Sequence, residues 1–261
     1  MCVISSSRAE YGILKELIIK LKSSKKFKTE VLVTGSHLIP KYGSSYKNIK
    51  SDKIKIDHKI KVKLNKNDKY SIIKDMSNYL EKFSNALKKI NPDLILVTGD
   101  RYEILCVAIV ANILRIRLVH IHGGETTLGS YDDGARNAIT KLAYVHFVST
   151  EKYKSKVINM GENPQNVFNV GSLSVESLLK IKKNKNFLKK ISNFDFSSKK
   201  ILISYHPLTT NIKKGRRDFR ELLACLKKMK NTSMVFSYPN HDVDSDYIIL
   251  KINEFVKKNK N

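Results

Sequence analysis

The feature that most constrains this chain is a strict alternation of short apolar runs with longer amphipathic ones. "CVIS" (2–5), "EVLVTG" (30–35), "DLILVTGD" (93–100), "IRLVHIHGG" (116–124) and "HFVST" (146–150) are apolar or β-branched runs of strand length. Between the first two, "AEYGILKELIIKLK" (9–22) sets Ile13, Leu14, Leu17, Ile18 and Leu21 at helical spacing. "SIIKDMSNYLEKFSNALKKI" (71–90) repeats that period until Asn91-Pro92 stops it. "RYEILCVAIVANILR" (101–115), "DDGARNAITKLAYV" (132–145) and "EKYKSKVINMG" (151–161) extend the series as helices, the last closed by Gly161. Apolar strands alternating with helices predict the α/β class, with a parallel sheet covered on both faces.

The interval "LKIKKNKNFLKKISNFDFSSKK" (179–200) is polar, lysine-heavy and weakly periodic, after which "ILISYHP" (201–207) opens a new strand. A helix around 217–229, a strand "MVFSYP" (234–239) and a final helix to about residue 258 follow. The expected organisation is a Rossmann-like domain over 1–178, a linker over 179–200 and a second Rossmann-like domain over 201–261. Two strands and two helices bury too little surface for a whole doubly wound domain. The second domain is therefore expected to be incomplete.

Composition narrows the function classes. With 41% hydrophobic residues the chain can fill real cores, but no run reaches the about 18 apolar residues of a membrane span. The N-terminus lacks the charged-then-apolar order of a signal peptide, so the expectation is a cytoplasmic protein with no membrane partner. Cys2, Cys106 and Cys225 lie far apart, with neither CxxC nor a His/Cys cluster at metal spacing. All three are read as buried apolar residues, and neither a metal nor a cofactor is expected. The net charge of +25 raises nucleic acid as a partner, yet only eight of the 49 basic residues are Arg, and the lysines are spread along the chain. That is a solvated surface whose field favours an anionic substrate, not a nucleic-acid stripe.

Ligands in open α/β sheets bind beyond the carboxyl ends of the strands, and four such ends are chemically loaded: "SSSRAEYG", "GDRYE", "HIHGGE" and "YHP". They predict a crevice lined by Arg8, Asp100, His122, Glu125 and His206, facing a helix start with Asp132 and Asp133. Each element has a plainer structural reading. Ser5 to Ser7 could cap the first helix, with Glu10 completing a capping box, or could serve with Arg8 as an anion site. Asp100 could cap the helix after it, Gly123-Gly124 could be only a turn, and Asp132-Asp133 suit a helix dipole without further duty. His120 and His146, inside apolar strands, are read as core residues.

Taken together, "SRAEYGILKELI", "GDRYEI", "HIHGGETTLGSYDD", the Arg136-Asn137 pair before "AITK", and "HFVSTEKYKSKVINMGENPQNVFNVGSL" resemble the hydrolysing UDP-N-acetylglucosamine 2-epimerases of sialic-acid and related nonulosonic-acid biosynthesis. The likeness runs through nearly the whole chain, with the motifs in family order. It implies two Rossmann-like domains and a nucleotide-sugar substrate, UDP-N-acetylglucosamine or a relative. It also implies release of N-acetylmannosamine and UDP through a 2-acetamidoglucal. By resemblance Asp100 and Asp132 match catalytic acids, and Arg8 and His206 match residues near the diphosphate. Asn240 and Asp242 match a segment on the nucleotide side. Glu125 is added as a sugar-facing or acid/base residue, Arg101 and Arg136 as groups that position acids or phosphate, and His122 as a proton carrier or hydrogen-bond partner.

The chain departs from the family at several points. His122 stands where many relatives carry Glu, Asn137 replaces a usual His, and "SSSRAEYG" replaces a glycine-containing turn. A "GNSSSG"-like nucleotide segment of the family has no counterpart here. The expectation is a truncated or split member that associates with itself or with a chain supplying that part. A nucleotide-sugar transferase and a noncatalytic nucleotide-sugar-binding protein are the competing classes, and a GDP-sugar or a UDP-diacetamido sugar is an alternative substrate.

Overall fold

Cys2–Ser5 (β1), Glu30–Val33 (β2), His58–Lys59 (β3), Leu94–Thr98 (β4), Arg117–Ile121 (β5), Val145–Val148 (β6) and Val167–Asn169 (β7) form one parallel sheet in the order β3-β2-β1-β4-β5-β6-β7. The coordinates are a computed structural model that describes residues 1–63, 68–179, 199–240 and 242–259. Every residue of β1 is buried, as a central parallel strand requires. Strand order reverses between β1 and β4, the switch point at which such sheets open a crevice.

The helices of this unit are Arg8–Ser23 (α1), Tyr46–Ser51 (α2), Lys69–Ile90 (α3), Tyr102–Ile113 (α4), Asp132–Leu142 (α5), Glu151–Asn159 (α6) and Leu173–Leu179 (α7). Ile72, Asp75, Tyr79, Phe83 and Leu87 form the buried stripe of α3 at three- and four-residue spacing. Tyr79 and Phe83, both fully buried, stack at 5.7 Å, and burying a side chain of that size stabilises by roughly 1.5–3 kcal/mol. α4 is apolar nearly all round and is buried along most of its length, from Tyr102 to Ala111. Against β4, β5 and β6 lies an apolar groove of about 510 Å³ walled by Leu94, Leu96, Val119, Ile121, Val145 and Phe147.

A second compact unit holds Lys199–Ser204 (β8) and Thr232–Ser237 (β9), which pair in parallel, with Ile212–Lys227 (α8) and Ser245–Lys258 (α9). Phe219, Ile248 and Ile252 are its core. α8 begins five residues before the expected start at 217, because Asn211 caps it by accepting from the Lys214 N–H at 3.0 Å. Its first turn, Ile-Lys-Lys-Gly, hides the period that becomes clear only at Phe219. Cys2 and Cys106 are buried as expected, but Cys225 is exposed. It sits one position before Leu226, which faces the core, and one residue of helix turns the side chain about 100° away. The strands β3 and β7 were not anticipated; they are short, carry polar residues and lie at the sheet edges. The expected linker 179–200 lies almost wholly outside the described residues. No described helix is long and apolar enough to cross a membrane.

Candidate active site

Parallel pairing brings the ends of β4, β5 and β6 level. Thr98 pairs with Ile121 and Ile121 with Phe147, and two bonds continue the ladder: Gly99 N–H to Ile121 carbonyl at 3.3 Å, and His122 N–H to Phe147 carbonyl at 2.9 Å. Asp100, His122 and Ser149 thereby emerge from three neighbouring strand ends. Gly123 and Gly124 are more than a turn. A Cβ at Gly123 would lie 3.0 Å from Thr140 Oγ1, and one at Gly124 would lie 2.8 Å from Val157 Cγ2 with the backbone at φ +76°. Small size there lets the loop after β5 pack on α5 and α6.

The first turn of α5 carries Asp132 and Asp133, and one turn on comes Arg136, 7% exposed. Arg136 is the hub. Its Nη2 pairs with Asp100 and donates to Thr127 Oγ1 at 3.1 Å, and its Nη1 donates to Glu125 Oε2 at 3.1 Å. Asp100 therefore does not cap α4; Arg101 is the N-cap residue, with no side-chain cap bond. The other Glu125 oxygen, Oε1, lies 2.5 Å from His122 Nδ1 and accepts from Ser149 Oγ at 2.7 Å. Burial pushes the Glu125 carboxyl up. Hydrogen bonds from His122 and Ser149, with the charges of His122 and Arg136, outweigh that and hold it down to about 2.

His122 is buried and sits at φ +65°, and its Nε2 has no partner among the described residues. A carboxylate can only accept, so Nδ1 carries the proton shared with Glu125, and Nε2 is the ring nitrogen left to take or give one. His120, read as a core residue, is fully buried, and burial lowers its pKa to about 3. Its Nε2 donates to the Gly99 carbonyl at 2.8 Å and its Nδ1 lies 3.2 Å from Thr140 Oγ1, so it braces the turn that carries Asp100 against α5. His146 is likewise fully buried, 3.2 Å from Glu162.

Asp132 accepts from Ser130 Oγ at 2.5 Å, and Asp133 accepts from the Thr127 N–H at 2.9 Å, which draws the loop onto α5. Arg101 is 9% exposed, and its Nε lies 3.2 Å from both oxygens of the fully buried Glu103. The β1–α1 turn takes the capping form. Ser7 Oγ accepts from the Glu10 N–H at 3.4 Å, and the Glu10 carboxyl takes the Ser6 N–H at 2.5 Å and the Ser6 hydroxyl at 2.6 Å. Arg8 is exposed at the first residue of α1. In the second unit, beyond the ends of β8 and β9, His206 Nδ1 is 3.9 Å from Asp242 Oδ2, and the Asp242 N–H bonds to the Asn240 carbonyl.

Sequence reasoning missed Ser149 and Thr127. Ser149 follows the strand "HFV" directly, so the strand-end rule that found Asp100 and His122 would have found it. Among the described residues no group of three or more His, Cys, Asp or Glu is placed to hold a metal. The arrangement offers a cation paired with two carboxyl groups, beside an imidazole whose Nε2, without a partner among the described residues, can take or give a proton.

Comparison with known proteins agrees on the family. The profile described as UDP-N-acetylglucosamine 2-epimerase matches residues 19–260. GDP/UDP-N,N'-diacetylbacillosamine 2-epimerase (hydrolyzing) of Campylobacter jejuni is 38% identical over 99% of this chain and 67% of its own. Polysialic acid biosynthesis protein P7 of Escherichia coli is 36% identical over 98% of this chain and 66% of its own. The chain thus spans about two thirds of the length of these relatives. The crystal structure of UDP-GlcNAc 2-epimerase from Neisseria meningitidis bound to UDP-GlcNAc superposes with a TM-score of 0.77 at 19% identity. The match covers 96% of this chain and 70% of that one, a likeness of fold. The chain belongs to the UDP-N-acetylglucosamine 2-epimerase family.

Proposed function

We propose that the chain carries the proton-transfer centre of a hydrolysing 2-epimerase acting on a nucleoside-diphosphate 2-acetamido sugar, with UDP-N-acetylglucosamine as substrate. The observation that carries this reading is the convergence of Asp100, Glu125, Arg136 and His122 beyond β4 and β5. In the reaction the C2–H bond breaks to a base, its electron pair forms the C1=C2 bond, and the C1–O bond breaks with its pair leaving on the diphosphate. Water then adds at C1, and a proton returns to C2 from the opposite face. Inversion needs proton-transfer groups on both faces, and His122 with its bare Nε2, Asp100 and Asp132 are the candidates. Arg8 and, in the second unit, His206, Asn240 and Asp242 are assigned to the nucleotide. Family relationship supports the reaction class, and the relative of polysialic acid biosynthesis supports the N-acetylmannosamine product.

A second substrate, UDP-N,N'-diacetylbacillosamine, is favoured by the name of the relative at 38% identity. The test is proton NMR of each nucleotide sugar incubated in D2O with this chain, alone and mixed with the C-terminal third of a relative. The expected result is release of UDP with the free 2-epimer deuterated at C2, in either sample. Binding of UDP without release in both samples would instead mark a noncatalytic nucleotide-sugar-binding protein.

A further inference from the structure

We propose that Ser149 is a positioning residue for the proton transfer. Together with Arg136 it fixes Glu125 as a bystander anion, and Glu125 in turn holds the imidazole of His122 so that Nε2 is the atom that exchanges the proton. This rests on the reading of the reaction given above, and it assigns Glu125 a different part from a general acid or base.

The argument starts from what a carboxylate must be free to do. A general acid needs a proton on one of its oxygens at the working pH and an open path from that oxygen to the substrate. Both Glu125 oxygens are already spoken for: Oε1 by Ser149 Oγ at 2.7 Å and His122 Nδ1 at 2.5 Å, Oε2 by Arg136 Nη1 at 3.1 Å. Three donors from three elements, the end of β6, the end of β5 and the body of α5, converge on one carboxyl group and keep it ionised. Such a group is held too firmly to carry a proton back and forth. It is well placed to orient a ring.

His122 is the ring it orients. The side chain is 10% exposed, its Nδ1 points at Glu125, and Nε2 is buried with no partner among the described residues. A buried polar atom without a partner is costly, and His122 Nε2 is such an atom among the described residues. The charged and titratable groups around it are Glu125 on its own loop, Arg136 from α5 with Asp100 paired behind it, and His120, two residues back on β5, whose pKa burial lowers to about 3. The Ser149 hydroxyl gives Oε1 an anchor independent of the ring that Glu125 orients, because apart from His122 itself the other donor, Arg136, holds only Oε2.

The first test is nitrogen-15 NMR of the ring of His122, which needs no substrate and no turnover. In the native chain the neutral ring is expected as the Nδ1–H tautomer, with Nε2 unprotonated. Ser149→Ala should raise the share of the Nε2–H tautomer, and Ser149→Thr, which keeps the hydroxyl, should restore the native pattern. An Nε2–H tautomer in the native chain, or the same populations in native and Ser149→Ala chains, would overturn the proposal. The second test uses whichever sample turns over nucleotide sugar. Ser149→Ala should lower kcat about tenfold with KM unchanged, and Ser149→Thr should recover it. An unchanged kcat, or a change confined to KM, would also overturn it. If no sample turns over while the tautomer results hold, the positioning of His122 stands and the reaction class falls.

Discussion

Glu10 shows how a single side chain can serve two masters. It is 5% exposed, and it satisfies the Ser6 N–H and hydroxyl in the turn that opens α1. Burial raises its carboxyl; the bonds from Ser6 and the Arg101 charge pull it down and the Glu103 charge pushes it up, leaving it at about 7 against an ordinary 4.5. A folded value above the unfolded one means that the fold prefers the protonated form. The stabilisation is fully present below about pH 4.5 and is lost as pH rises through 7. Glu10→Gln keeps an acceptor for the Ser6 N–H and cannot ionise. It should flatten the fall in stability between pH 5 and 7, and at pH 8 should leave the variant more stable by up to about 3 kcal/mol. Urea unfolding at several pH values measures this, and an undiminished fall in the variant would refute it. None of this was visible in "SSSRAEYG", where capping and anion binding fitted equally well. The difference lies in the depth of burial, which depends on neighbours far along the chain.

Helix α5 is held to the strand ends by charge as well as by packing, and Arg136 is the tie. Its side chain, 8% exposed, pairs with Asp100 and Glu125, themselves 22% and 26% exposed. Removing a partner from such a group strands charge in a low-dielectric setting, so Arg136→Leu should lower unfolding free energy by about 3–5 kcal/mol. Chemical denaturation checks this; a loss below about 1 kcal/mol would show that the cluster is solvated and the tie weak. At this scale the sequence was readable where periodicity was strong. β1, β2, β4, β5 and β6 and the helices packed on them fall where apolar runs and helical stripes put them. It was silent on β3 and β7, two and three residues long, because edge strands that short are made by pairing to a neighbour and not by their own pattern. The start of α8 was misplaced because its cap and lysine-rich first turn carry no apolar period. The site was legible as a set of loaded strand ends. Which side chains pair was not, since Asp100 and Arg136 meet across 36 positions and only the closed sheet brings them together.

The sheet of the first unit has a consequence for how the whole molecule meets water. The groove of about 510 Å³ against β4, β5 and β6 has Phe27, Tyr144 and Val170 exposed at its margin. Its walls offer water almost nothing to bond with, so liquid inside it is held poorly and gives way readily to any flat, greasy solute. The chain carries a net charge of +25, which favours anionic amphiphiles over neutral ones. The native chain should therefore light up anilinonaphthalene sulfonate while still cooperatively folded, and Val170→Glu at the margin should dim it. Absence of enhancement by the folded chain would mean that the patch is wetted or filled. A solute that clings to this groove reports on the folded state of the first unit, so the dye signal marks native sheet and not unfolded chain.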